Sequence, residues 1–294
     1  MSLWKKEFTP MLLKEVDVVF DDENYLYEVK YDGIRVLVFV SNDSVVIKSR
    51  YGMDITKLFP ELSCLSKIVS GKVIFDGEII ILDDGRVSFS KLQKRFHLKN
   101  KRTIDFLSKT NPVVFMCFDV LYENRDLINL SLLERKEILN NYEDNEVFVK
   151  STYVYGKGSK LFKAIKSLDM EGIVAKKIDS KYLINERSDN WIKIKNYKSD
   201  DFLILGYINK ENVISLVLGE LLKGRIVYVG KVSLGKKRSL ANKIMNMKEA
   251  KALIDIKDKD VIYVKPNVKC EVKYLERTSN GLLRQPFIPW KCQK

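Results

Sequence analysis

Histidine is almost missing from this chain, whose 294 residues hold one, His97. That excludes a polyhistidine metal site, and a Ser-His-Asp triad would have to use this one residue. Cysteine is scarce too. Cys64, Cys117, Cys270 and Cys292 lie far apart, and no two have zinc-ligand spacing. They read as core or surface thiols in a reduced compartment, not as a disulfide framework. No apolar run reaches the length of a membrane span. The opening Met1-Ser-Leu-Trp-Lys-Lys6 lacks a signal-peptide core. The expectation is a cytoplasmic protein with no membrane partner. Any chemistry falls to lysine, arginine and carboxylates.

What is present is positive charge and enough apolar residues for a sizeable core. The net charge is +13 and 46% of residues are hydrophobic. Residues 199–294 hold 19 Lys/Arg against 10 Asp/Glu, a net of +9, which leaves +4 for residues 1–198. Charge concentrated in the last third suits a surface that tracks a phosphate backbone, although a basic, soluble domain with no such partner has the same composition.

Alternation and turn residues predict strands over Tyr25–Lys30, Ile34–Val40 and Val45–Ser49, the last two joined at Ser41-Asn-Asp-Ser44. Asp54–Val69 has helical spacing, with Pro60 interrupting it. Asp76-Gly-Glu78 sits between two apolar runs read as separate strands, Val73–Phe75 and Ile79–Leu82. Asp83-Asp-Gly85 reads as a turn, and basic Lys91–Leu107 as helical in part. Val113–Leu121 reads as a buried strand, and Val147–Val149 as a short one. Ser131 and Glu134 form a capping box. Ser159–Met170 predicts a helix with Leu161, Phe162, Ile165 and Leu168 inward, and Ile173–Ala175 a strand. In Trp191–Lys195, alternation puts Lys193 and Lys195 on one face. Asn196–Asp201 reads as a linker. Strands over Phe202–Ile208, Val213–Gly219, Arg225–Lys231 and Val268–Tyr274 follow, with a helix over Leu240–Leu253. They suggest a small barrel such as an OB-fold.

The stretch Glu28-Val-Lys30-Tyr-Asp32-Gly33-Ile-Arg35 joins two of these strands. Such a lysine is either a surface charge on a hairpin or a nucleophile. A lysine at its ordinary pKa of about 10.4 is a poor nucleophile, and neighbouring cations lower that value. Other polar groups recur at strand ends: Ser49-Arg50-Tyr-Gly52, Asp76-Gly-Glu78, Glu171-Gly-Ile-Val-Ala-Lys176-Lys177 and Trp191-Ile-Lys193-Ile-Lys195. Each alone reads as a solvated edge. Together they describe a cleft of lysines, arginines and acids suited to a nucleoside triphosphate with a divalent cation.

In this order, with Phe118-Asp-Val-Leu-Tyr122 between them, the motifs resemble the series of the covalent nucleotidyltransferases. Within that superfamily the chain is most similar to the ATP-dependent DNA ligase module of bacterial end-joining repair ligases. Tyr182-x-x-x-x-Arg187-Ser, Val229-Gly-Lys-Val232 and Glu271-Val-x-Tyr through Arg284-x-Pro286 extend the resemblance over nearly the whole chain. It implies an α+β adenylation domain of antiparallel sheets with flanking helices at 1–198, of the ATP-grasp-like ligase fold, and an OB-fold barrel at 199–294. It implies a monomer using ATP with Mg2+ or Mn2+ on nicked or broken duplex DNA at the nucleoid. A DNA-end-binding protein and a repair polymerase are the implied partners.

The resemblance also assigns roles. Lys30 would attack the α-phosphate and become lysyl-AMP. Glu28 would read the adenine edge, Phe118 would stack on the base, and Lys176 would touch the nucleotide. Arg35, Arg50 and Glu78 would hold the sugar and phosphate region. Asp32, Glu78 and Glu171 would lie around the metal. Lys193 and Lys195 would bind the α-phosphate. Arg284 would close over the pyrophosphate as the barrel swings about a hinge near residue 200. Asn185 stands where the pattern has glycine, and an arginine after Arg284-Gln-Pro286 is missing. With 29 residues before Lys30, the expectation is a chain without the extra DNA-binding domain of large ligases. His97, Phe287 and Trp290 read as surface or packing residues. An RNA ligase or guanylyltransferase is the alternative within enzymes, and a non-catalytic nucleic-acid-binding barrel the alternative outside them.

Overall fold

The structure, a computed structural model, describes residues 2–289 apart from 212, 236, 237, 253, 255, 257 and 259. Cys292 and Trp290 lie outside the described residues. The chain divides into two compact units, Met1–Asn196 and Tyr197–Lys294.

The first unit contains β1 (Leu12–Glu15), β2 (Tyr25–Lys30), β3 (Ile34–Ser41), β4 (Ser44–Ser49), β5 (Lys72–Ile80), β6 (Leu82–Asp83) and β7 (Arg86–Val87). Helices α1 (Phe89–Phe96) and α2 (Lys101–Thr110) lead to β8 (Val114–Glu123). Then come α3 (Leu132–Asn140), β9 (Phe148–Lys150), β10 (Tyr153–Tyr155), α4 (Gly158–Ser167), β11 (Gly172–Lys177) and β12 (Arg187–Lys195). Two five-stranded sheets result, in the orders β1-β12-β11-β2-β10 and β4-β3-β5-β8-β9.

Strand alternation decides what each sheet face meets. In the first sheet, Tyr27, Ile173, Ala175, Ile192 and Ile194 pack with Ile165 of α4. The opposite face carries Leu26, Glu28 and Lys30. In the second sheet, Val36, Val38, Phe75 and Ile79 pack against Phe59, Leu62 and Leu92. Its other face sends Leu37, Phe39 and Ile74 to meet Leu26 and Trp191 of the first sheet. Arg35, Asp76 and Glu78 share the parity of that inner face. The functional cleft therefore continues an apolar seam between the sheets.

Several expectations change. Asp54–Val69 is not an α-helix but two 3-10 segments, Thr56–Leu58 and Pro60–Lys67. Pro60 pushes Phe59 out of helical conformation, to φ −132° and ψ 60°. Asp76-Gly-Glu78 does not separate two strands but lies inside the continuous β5. A Cβ on Gly77 would meet the Phe115 ring at 2.3 Å, so this glycine permits close packing rather than a turn. Leu168 is 67% exposed, because α4 ends at Ser167. The capping box at Ser131 and Glu134 is present.

The second unit contains β13 (Lys198–Lys210), β14 (Val213–Leu222), β15 (Arg225–Ser233), α5 (Arg238–Met245), β16 (Ile262–Tyr263) and β17 (Lys269–Tyr274). Its strands run β15-β14-β13-β16, with β17 also paired to β13. Phe202, Ile204, Leu216, Leu218, Val229, Ile244 and Val272 form its core. The expected linker residues Lys198–Asp201 are strand, paired in register with Tyr274–Glu271. The helix expected over Leu240–Leu253 is the shorter α5.

Helix α3 is tied to β8 by a wholly buried pair. Arg135 Nε and NH2 donate to the two Asp119 oxygens at 2.8 and 2.9 Å. Its NH1 donates to the carbonyls of Leu130 and Ser180 at 2.7 and 3.1 Å. Arg135→Met leaves the Asp119 charge buried and unpaired, which costs about 3–5 kcal/mol. Urea unfolding should show a loss of that size; a change under about 1 kcal/mol would refute the anchoring role.

Candidate active site

The register of three strands assembles the cations. Gly172 of β11 lies opposite Lys30 of β2 on one side and Lys195 of β12 on the other. Two residues along, Val174 lies between Glu28 and Lys193, and Glu15 of β1 lies beside Lys193. Two further on, Lys176 lies between Leu26 and Trp191. Directly opposed residues face the same side, so these three rows share the face turned to the second sheet.

Lys30 Nζ donates to Glu171 Oε2 at 2.7 Å. Burial raises the Glu171 pKa and Lys30 opposes the shift; the charge of Asp32 adds to the rise. Lys193 Nζ lies 2.9 Å and Lys195 Nζ 3.7 Å from Glu15 Oε2. Burial lowers the Lys195 pKa, and the positive charges of Lys193 and Lys30 push the same way. The lysines expected to bind phosphate are thus balanced by carboxylates, one of which, Glu15, the sequence reading did not single out.

The second sheet forms the facing wall. Arg35 Nε and NH2 donate to Asp76 at 3.1 and 2.8 Å, and the Tyr182 hydroxyl donates to Asp76 Oδ2 at 2.6 Å. Tyr182 accepts in turn from the Met11 amide at 3.0 Å. Glu78 lies opposite Arg35 in register. Its pKa is pushed up to about 8, chiefly by burial, against the pull of Lys30 and Arg35. Phe118 is an extra residue of β8, between Cys117 opposite Gly77 and Asp119 opposite Asp76. A bulge of this kind re-aims a side chain.

Between these walls lies a cleft lined by Leu13, Glu28, Lys30, Arg35, Glu78, Phe118, Lys176 and Trp191 among others. Glu28 is buried, with its Oε1 bound by Lys136 and its Oε2 2.7 Å from Lys176. Lys176 Nζ lies 4.0 Å from the Phe118 ring centroid and 4.2 Å from that of Trp191. Burial, opposed by Glu28, lowers its pKa to about 8. Arg50 is exposed, and its amide donates to the Arg35 carbonyl at 3.1 Å. Arg284 belongs to the second unit, where NH1 donates to Glu276 at 3.0 Å. Asn185 adopts φ +62° and its Oδ1 accepts from the Thr9 amide and hydroxyl at 2.6 and 2.7 Å.

Trp191 carried no expected role, yet the alternation that pairs Lys193 with Lys195 also puts Trp191 on their face. Glu15 and Lys136 had no comparable local signal, and Asp76 stood out only within Asp76-Gly-Glu78, without its Arg35 partner. His97 is exposed, whereas its neighbour Arg95 is buried on Glu61 at 3.0 Å. Cys64 is half-buried and Cys117 and Cys270 are buried, all as free thiols. Phe287 packs within its own unit, its ring centroid 4.7 Å from Tyr197. Among the described residues, no helix is long and apolar enough to cross a membrane.

The family model for the ATP dependent DNA ligase domain matches residues 10–195. The chain is 32% identical to the SPbeta prophage-derived DNA ligase-like protein LigB of Bacillus subtilis, over 96% of this chain and 98% of that protein. It is 29% identical to the multifunctional non-homologous end joining protein LigD of Mycolicibacterium smegmatis, over 96% of this chain but only 38% of that protein. The solved ligase domain of M. tuberculosis LigD is similar over 96% of this chain and 93% of that one, at 28% identity and a TM-score of 0.57. A Lig E DNA ligase structure, at 17% identity and a TM-score of 0.67, shares the fold over 96% of this chain and 98% of that one. Sheets, cleft and matched model agree: this chain belongs to the ATP-dependent DNA ligase family and has the nucleotidyltransferase ligase fold.

Proposed function

We propose that Lys30 carries AMP in this ligase and passes it to a DNA 5′-phosphate, sealing nicks or ends. The carrying observation is the Lys30 ammonium on Glu171 at 2.7 Å, beside a cleft with an aromatic wall. Glu171, its carboxylate made more basic by burial, is in reach to accept the proton that the Lys30 ammonium must give up before it attacks. The Lys30 nitrogen then bonds to the α-phosphorus as the bond to pyrophosphate breaks. A DNA 5′-phosphate oxygen displaces Lys30 from the adenylate, and a 3′-hydroxyl displaces AMP. Lys193 and Lys195 meet the charge that develops on the phosphate.

Among the described residues, no three His, Cys, Asp or Glu side chains form a ready metal cage. Glu78 and Glu171, both with raised pKa values, fit a divalent cation shared with nucleotide phosphates. With Asp32 they would hold Mg2+ or Mn2+, which would supply neutralisation of phosphate charge. Phe118 stacks on the base and Glu28 and Lys176 meet its edge, while Arg35 and Arg50 border the sugar and phosphates. The second unit, read as an OB-fold with a net +10, tracks the DNA backbone, and Arg284 reaches the pyrophosphate. The likeness to LigD proteins supports a role in end joining. At the nucleoid, the chain acts as a monomer with a DNA-end-binding protein and a repair polymerase as partners.

Lys30→Ala should abolish covalent labelling from α-labelled ATP while nicked-DNA affinity stays within about twofold; a labelled Lys30→Ala protein would refute the nucleophile assignment. DNA affinity should fall steeply with salt, by roughly 10³ or more between 50 and 200 mM if six or more phosphates are contacted. A flat response in a filter-binding titration would exclude backbone docking. The metal-free chain should also lose stability as pH rises from about 5 to 8. Folded Glu78 keeps, up to about 8, a proton that the unfolded chain releases near 4.5. Glu78→Gln should flatten that part of the urea-unfolding profile measured in EDTA; identical slopes would assign the protonation elsewhere.

A further inference from the structure

Lys136 does not line the cleft and has no place in the mechanism above, yet it is one of the most buried cations of the first unit, at 2% exposure. Its ammonium donates to Glu28 Oε1 and stands 5.2 Å from the Tyr153 ring centroid. Tyr153 is the β10 residue directly opposite Glu28. Lys136 therefore approaches Glu28 on the side of the β10 edge, and Lys176 approaches it at the cleft.

The two lysines differ in what holds them. Lys176 lies over the faces of Phe118 and Trp191, at 4.0 and 4.2 Å from their centroids. A base stacked on Phe118 needs the volume that this ammonium fills, so Lys176 must shift when a nucleotide enters. Lys136 sits on α3, next to Arg135, whose guanidinium is fixed by Asp119 and two carbonyls. One counter-charge is displaceable and the other is anchored.

We infer that Lys136 is the positioning residue that holds the Glu28 carboxylate at the base edge as Lys176 gives way to the base, and so sets the preference for adenine over guanine. The inference rests on the reading of Glu28 as the group at the base edge. Adenine presents an amino donor at its six-position, where guanine presents a carbonyl acceptor. A carboxylate only accepts, so it matches the adenine amino group and repels the guanine carbonyl at that position. Lys136 holds that carboxylate from the β10 side, buried and away from the residues that line the cleft.

The test compares the intact chain with Lys136→Met, Lys136→Arg and Glu28→Gln. Each is incubated with Mg2+ and α-labelled ATP or GTP, and kcat/KM for covalent labelling of Lys30 is measured for both nucleotides. Lys136→Met should lower the ATP-to-GTP ratio by roughly tenfold or more, while Lys136→Arg keeps it within about threefold. Glu28→Gln should lower it as well. If Lys136→Met slows both nucleotides equally while Glu28→Gln shifts the ratio, the role of Lys136 is overturned and that of Glu28 stands. An unchanged ratio in Glu28→Gln overturns both. Should Lys136→Met fail to fold by thermal melting, Lys136→Gln, which keeps a donor but no charge, is read by the same ratio.

Discussion

A residue without a side chain, Gly172, sets how the charges of this site meet. It stands in register between Lys30 and Lys195, so the space between the two lysines holds no side chain. Its φ of +151° and a Cβ position only 2.2 Å from the Ile194 carbonyl leave no place for another residue. Two cations on one face of a half-buried sheet repel each other, and burial together with these neighbouring charges lowers the Lys195 pKa. Glu171 relieves Lys30 and Glu15 relieves Lys193 and Lys195. A triphosphate brings more negative charge than either carboxylate. The lysines are therefore held in place before the anion arrives, which reduces the reorganisation needed at the reacting phosphate.

The facing wall obeys a different constraint, because it must carry charge beside an apolar seam. Arg35 is satisfied by Asp76, and Asp76 by Tyr182, which accepts from the Met11 amide. Buried pairs of this kind add little net stability, since desolvation offsets their attraction. What they do is fix position. The same chain of contacts ties the second sheet to the segments before β1 and before β12, so both walls of the cleft are referenced to one hydrogen-bonded network. The bulge that turns out Phe118 lies beside Asp119, the residue that clamps Arg135.

The parts legible in the sequence were those set by local alternation. The strand ends at Lys30 and Ser49, the shared face of Lys193 and Lys195 and the capping box at Ser131 all follow from residues a few positions apart. Glu15, Asp76 and Lys136 act through partners 41 to 178 positions away, and no local period reports such pairings. Gly77 misled because glycine signals a turn more often than a close ring contact. The stretch after Asn196 misled because its polar residues lie on a strand with exposed positions, Ser199, Asp200 and Asp201. Polarity alone does not separate such a strand from a linker.

The aromatic slot shows why charge and packing in this cleft cannot be treated apart. Without a nucleotide, Phe118 and Trp191 face the Lys176 ammonium, whose attraction to the ring faces partly replaces lost hydration. Burial brings its pKa to about 8, so the proton is held weakly near neutral pH. Of the two lysines on Glu28, Lys176 is the one that lines the slot. A base that took the place of this ammonium would cover the same rings and remove one cation from Glu28, leaving Lys136 as the other. The cost of opening the slot would then fall on the side chain that already lines it.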